Sequence, residues 1–179
     1  MPIVAADLTW KLSTLNGTQG NALAQSDPNL SLGKYISTTT APTATNALFD
    51  TVTKERNAAS EVDYRCVFIR NQHATLTATG GKLYLAGGDP AGGPAWAVGV
   101  DPTAASLIGA TAAQAVQITN DTTAPAGVSF SAPTTEAGGL SLGDIPPGRC
   151  KAVWIRCSQT NSLPVLEQVT LTATFSTLA

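Results

Sequence analysis

The chain has 179 residues, with 10 Lys or Arg and 12 Asp or Glu, so 12% is charged against about 25% in an average soluble domain. Its 16 Gly, 11 Pro and 25 Thr suit short strands and turns, which excludes a coiled coil or a long helical bundle. A formal charge of −2 and a pI near 5.2 leave no cationic excess to neutralise phosphates, so no nucleic-acid partner is expected.

The length suits one domain of roughly 130–150 residues plus extensions. The expected division is an N-terminal strand with an extended arm over residues 1–45, then a β-sandwich over 46–179. Leu8, Trp10 and Leu12 alternate with Thr9, Lys11 and Ser13, which predicts a strand. Residues 14–45 are rich in Asn, Gly, Ser, Thr and Pro, with an Asp27-Pro28 turn signal, and read as an extended arm or long surface loop. On that reading residues 1–45 can be deleted and a folded sandwich remains. Thr45 or Asn46 could cap a short helix through Leu48, Phe49 and Val52 to about Arg56.

From Val62 to Arg70 the centre of the segment is apolar on both faces, as in a central strand covered on both sides. Residues 75–79, Gly80-Gly81 and 82–85 read as a two-residue hairpin with a type I′ turn, placing Ala78 opposite Leu83 and Leu76 opposite Leu85. The Gly- and Pro-rich stretch 87–94 is a loop. Strands follow at Trp96 to Val100, Val116 to Ile118 and Val128 to Phe130. Leu140 to Leu142 and a corner at Ile145-Pro146-Pro147-Gly148 lead into Cys150 to Cys157. The chain ends in Val169, Leu171, Ala173 and Phe175 alternating with threonines. Leu76, Leu83, Leu85, Val169, Leu171 and Phe175 are expected to be buried, with Thr170 and Thr172 on the opposite face. Val67-Phe68-Ile69-Arg70 recurs as Val153-Trp154-Ile155-Arg156, and Thr-Leu-Thr-Ala-Thr occurs at both 75–79 and 170–174. Unequal offsets make shared strand chemistry the reading rather than a repeat.

Titratable clusters are sparse. His73, the only histidine, sits in Asn71-Gln72-His73-Ala74 between strands and reads as a turn residue rather than a general base. Cys66, Cys150 and Cys157 fit neither a disulfide framework nor a zinc site and read as buried apolar residues. Asp89, Asp101, Asp121, Glu136 and Asp144 lie in a stretch without cations. A calcium site is conceivable there, but no calcium-loop pattern is present and solvated loop carboxylates are the simpler reading. No nucleotide fingerprint occurs, so no catalytic residue, cofactor or metal is expected. No segment is long and apolar enough for a membrane helix and the N-terminus lacks a signal pattern, so synthesis in a reducing cytoplasm and no membrane partner are expected. Arg65, Arg70, Arg149 and Arg156 fall at the ends of the two similar strands, near Lys54, Arg56, Lys82 and Lys151. They read either as a basic patch for an acidic partner surface or as strand-end charges that discourage edge pairing.

The run Asp63-Tyr64-Arg65-Cys66-Val67-Phe68-Ile69-Arg70-Asn71 is followed by Thr123-Ala124-Pro125-Ala126-Gly127-Val128-Ser129-Phe130-Ser131-Ala132-Pro133. Then comes the corner Gly139-Leu140-Ser141-Leu142-Gly143-Asp144-Ile145-Pro146-Pro147-Gly148-Arg149, leading to Val153-Trp154-Ile155-Arg156. In this order the runs resemble a group of small structural proteins of tailed bacteriophages, over roughly residues 46–175. The resemblance implies an antiparallel β-sandwich, immunoglobulin-like or jelly-roll, in the virion of a phage whose host cytoplasm makes it. Three roles are open: a capsid decoration or cement protein bridging major capsid subunits from outside, a neck, tail or baseplate component, and, more remotely, a carbohydrate-binding module. Self-association as a homo-oligomer, with a trimer favoured, is expected beside contact with other virion subunits.

Overall fold

The structure, a computed structural model, describes residues 2–44, 47–87, 93–160 and 169–176. Nine strands occur among these residues: β1 (Leu8–Thr14), β2 (Tyr35–Thr40), β3 (Val62–Asn71), β4 (Ala78–Ala86), β5 (Ala95–Val100), β6 (Ser106–Leu107), β7 (Leu140–Ile145), β8 (Arg149–Ser158) and β9 (Thr170–Ser176). They form two antiparallel sheets. The larger has the order β2-β1-β3-β8-β5, with β6 also paired to β8, and the smaller the order β7-β4-β9.

β3 and β8 are the longest strands and the centre of the larger sheet, in register from Val62 opposite Ser158 to Arg70 opposite Cys150. Their apolar residues point both ways because both faces are covered. On one face Val67, Val153 and Ile155 share a core with Leu12 and with Leu83, Leu85 and Leu142 of the smaller sheet. On the other, Cys66, Phe68, Cys150, Ala152 and Trp154 pack against Ile36 of β2 and against Leu32, Ala115 and Ile118, which come from long connections rather than helices. Three layers result: the smaller sheet, the larger sheet, and loops. Burying such side chains contributes about 1.5–3 kcal/mol each. Of the two similar runs on β3 and β8, Val67 stands opposite Val153, whereas residues 170–174 pair with residues 82–86 of β4 and not with 75–79.

Several expectations are corrected. Residues 14–44 are not an extended arm. β2 pairs with β1, Leu32 and Ile36 are buried over β3 and β8, and Ser13 and Ser31 are fully buried. The Ser31 hydroxyl donates to the Cys66 carbonyl and accepts from the Ser13 N–H, so short polar side chains read as solvated in the sequence serve as interior connectors. A division at 45 therefore parts β1 and β2 from β3, the partner of β1 in the same sheet. The hairpin across Gly80-Gly81 is also absent. β4 runs straight through both glycines, with an irregular register against β7 and β9. Gly80 takes a φ of +62°, and at Gly81 an added Cβ would lie 2.6 Å from Phe175 Cε1. A glycine pair inside a strand marks a bulge as readily as a turn.

The helix begins later than expected, at Lys54–Ala58, capped by the Thr53 hydroxyl, which accepts from the Arg56 N–H. The expected caps Thr45 and Asn46 lie outside the described residues, and Leu48 and Phe49 are half-buried against the core in an irregular segment. Residues 116–118 and 128–131 contribute isolated bridges, Gly33 to Gln117 and Val98 to Ser131, rather than strands. The corner at Pro146-Pro147-Gly148 joins β7 to β8 as expected. Leu83 and Leu85 are buried; Leu76 is half-buried in the connection before β4, and Val169, Leu171 and Phe175 are half-buried because β9 is an edge strand of the smaller sheet. Thr170 is exposed and Thr172 half-buried.

Candidate functional site

β3 and β8 run antiparallel, which separates the four arginines into two groups. Arg65 and Arg156 lie toward one end, with Arg156 opposite Tyr64, and Arg70 and Arg149 lie toward the other. Five residues of strand separate Arg65 from Arg70, roughly 17 Å along the strand. The single basic patch is therefore corrected to two clusters.

At the first end, Arg65 is only 1% exposed. Its guanidinium donates to Asn29 Oδ1 at 2.5 Å, to Asp121 Oδ2 at 3.3 Å and to the Tyr64 carbonyl at 3.0 Å, and it lies over the Phe49 ring at 5.1 Å. Asn29 Nδ2 in turn donates to Asp50 Oδ2 at 2.6 Å. Beside it Arg56 of the helix binds Glu61 at 2.6 Å and Asp63 at 2.5 Å. Burial pushes the Asp63 carboxyl upward, with Asp121 adding to this, while Arg56 and Arg65 pull against it. The hydrogen bond to Glu61 is the main reason that Arg56 holds its proton more firmly than usual. Arg156 stacks over Phe130 at 5.3 Å, and Phe130 packs against Tyr64 with ring centres 5.4 Å apart.

At the other end Lys151 is buried and donates to the backbone carbonyls of Asp101 and Thr103. Burial lowers its pKa, opposed in part by Asp101. Arg149 donates to the Ala105 carbonyl at 3.1 Å, and Lys11 to the Thr38 carbonyl and Thr40 hydroxyl at 3.0 Å each. Lys11 is lowered by burial and then by the nearby Arg70.

Asp101 was legible only as one of several acidic loop residues, yet it is buried and organises the loop layer. Its carboxylate accepts from Trp154 Nε1 at 2.8 Å and from the backbone N–H groups of Val116 and Thr103, both at 2.9 Å. The Asp-Pro pair is a local turn signal, but nothing local marks Trp154 as its partner. Asp121 is taken by Arg65 and Asp144 accepts from the Gly80 N–H at 2.8 Å, while Asp89 lies outside the described residues. Among the described residues no three His, Cys, Asp or Glu side chains are grouped to hold a metal ion. His73 Nδ1 accepts from the Thr75 and Leu76 N–H groups, closing a turn. Cys66, Cys150 and Cys157 are buried, and none of them forms a disulfide among the described residues. An open depression of about 250 Å³ is lined by Val100, Gly127, Ser129, Leu140 and Ser141, none of them titratable.

Charged side chains join β3 and β8 to the segments carrying Asn29, Phe49, Asp101 and Asp121, and leave few charges on the outer layer. From Asp101 to Gly139 the exposed positions are occupied by Thr, Ala, Ser, Gly, Asn, Gln, Pro and Leu107, with Glu136 as the exposed charged residue. No helix among the described residues is long and apolar enough to cross a membrane. Searches of protein-family models, of curated proteins and of solved structures each return no match to this chain.

Proposed function

We propose that the chain is a non-catalytic structural subunit of a tailed-bacteriophage particle, acting as a decoration or cement protein that lies on the outside of the head and bridges major capsid subunits. Its two sheets are then read as a β-sandwich of the immunoglobulin-like or jelly-roll kind. The observation that carries the proposal is the loop layer of residues 101–139, whose exposed positions are uncharged apart from Glu136 and which is held by buried Asp101, Lys151, Arg65 and Trp154. The cores of protein interfaces are depleted of charge, and a loop layer that is already ordered loses little entropy on docking. The phage-like runs fall on β3, on the loop 123–133 within this layer, and on the corner between β7 and β8. A neck, tail or baseplate position uses the same surface and differs in copy number.

The test uses the full chain and particles lacking it. Purified protein should bind such heads to saturation at hundreds of copies and raise their resistance to heat. Thr122→Glu with Ala124→Glu, both at exposed positions, should abolish binding while the circular dichroism spectrum is unchanged. A protein found in about a dozen copies at the neck would move the assignment to the alternative. Undiminished binding by the doubly charged variant would remove the loop layer from the interface.

A further inference from the structure

Strand edges present unpaired backbone groups, and here three of the four sheet edges are guarded. The outer edge of β2 is covered by residues 21–25, with Asn21 N–H donating to the Ile36 carbonyl at 2.7 Å and Thr38 N–H to the Leu23 carbonyl at 2.9 Å. On β5 the two bonds between Val98 and Ser131, 2.8 and 3.0 Å, cover the centre. β7 carries the exposed Asp144 and a Gly143 with φ of +70°, both of which oppose pairing. β9 is different. It pairs with β4 on one side, and no other described residue bonds its backbone. Its sequence, Thr170-Leu171-Thr172-Ala173-Thr174-Phe175-Ser176, holds no charge, proline or glycine.

That sequence is also nearly palindromic in chemistry about Ala173. Laid antiparallel against itself, Ala173 meets Ala173, Thr172 meets Thr174, Leu171 meets Phe175 and Thr170 meets Ser176. Every apolar residue faces an apolar one and every hydroxyl a hydroxyl, which is the self-complementarity a two-fold interface requires. Leu171, Ala173 and Phe175 are only half-buried within one copy, so a neighbouring strand would cover apolar surface that the three-stranded sheet leaves open.

We infer that β9 is the dimerisation edge of this protein, pairing with β9 of a second copy to form one continuous sheet of order β7-β4-β9-β9-β4-β7. Because the two outer edges of that sheet are both β7, assembly closes at two copies instead of growing into a fibre. The inference stands on the edge and its sequence, whether or not the protein sits on a particle.

Sedimentation velocity of the full chain from micromolar to millimolar concentration should show a monomer–dimer equilibrium. Thr170→Glu with Ser176→Glu, and separately Thr170→Lys with Ser176→Lys, place like charges opposite each other twice per dimer. Each pair of substitutions should weaken dimerisation by about tenfold, and an equimolar mixture of the two variants should restore it. Both positions are exposed, so melting temperatures at concentrations where the parent is monomeric should match it and separate lost pairing from lost folding. A monomer throughout, a trimer, or a dimer indifferent to these substitutions would overturn the inference.

Discussion

Cys66 and Cys150 lie in the core between the larger sheet and the loop layer, so their thiols titrate far from their ordinary range. Burial drives Cys66 well above its usual 9.0, and it raises Cys150 to about 12 against a hydrogen bond with Ser106. Above pH 9 the unfolded chain releases protons that the folded chain retains. The thiol contribution is therefore fully present below pH 9 and is lost as pH rises toward 12. Lys11 and Lys151, lowered mainly by burial, act in the opposite sense up to 10.5. The Cys150 share is isolated by substitution. Urea denaturation should show Cys150→Ala less stable at pH 7, yet with an alkaline decline shallower by about 1 kcal/mol per pH unit. An unchanged slope would mean that Cys150 ionises freely in the folded state. Arg65 teaches the companion lesson: a strand-end cation that looks available in sequence is enclosed by Asn29, Asp121 and Phe49 once the loops close.

β4 shows how one local signal supports two structures. Gly80-Gly81 between strand-like runs satisfies a hairpin turn, and it equally satisfies a bulge inside a longer strand. The choice is made by partners distant in sequence. Thr79 and Lys82 both pair with β9, and Ala78 and Gly81 both with β7, so the flanking halves belong to one strand. A type I′ turn would penalise a side chain at either glycine similarly. The bulge distinguishes them. Gly80→Ala should cost about 1 kcal/mol for its left-handed backbone. Gly81→Ala, whose Cβ would meet Phe175, Leu142 and the Gly143 carbonyl within 3.0 Å, should cost more, about 2–3 kcal/mol, from overpacking plus any loss of the β7 pairing. Chemical denaturation of the two variants reads the difference, and equal costs would favour the turn.

At the scale of the molecule, residues 2–44 supply two strands and, in Leu32 and Ile36, two of the four buried residues that cover the loop-side face of β3 and β8. Deleting residues 1–45 removes β1 and β2 from the larger sheet and uncovers Cys66, Phe68 and Trp154 by taking away Leu32 and Ile36. The truncated chain should fail to fold, showing lost near-ultraviolet circular dichroism and no cooperative melt, because unmatched apolar surface and an opened central strand outweigh a stability of about 5–15 kcal/mol. A cooperative melt would restore the division at residue 45. The same reasoning explains why no helix is needed over β3 and β8: connections pinned by Asp101, Ser31 and Gln114 cover that face, the last through Gln114 Oε1 accepting from the Ile36 N–H at 2.9 Å.

The sequence by itself determined the all-β class, the positions of β1, β3, β5, β8 and β9, the Pro-Gly corner and the burial of the three cysteines. Each of these is written in local alternation, side-chain volume or the donor that proline lacks. Tertiary structure alone decided the pairing of β4, the incorporation of residues 14–44, the separation of the arginines and the role of Asp101. Those depend on which polar groups meet after the chain has folded back on itself. A Thr, Ser or Asn is equally at home in water or against a buried partner, and composition cannot tell a solvated loop from a polar layer whose hydrogen bonds are satisfied inside.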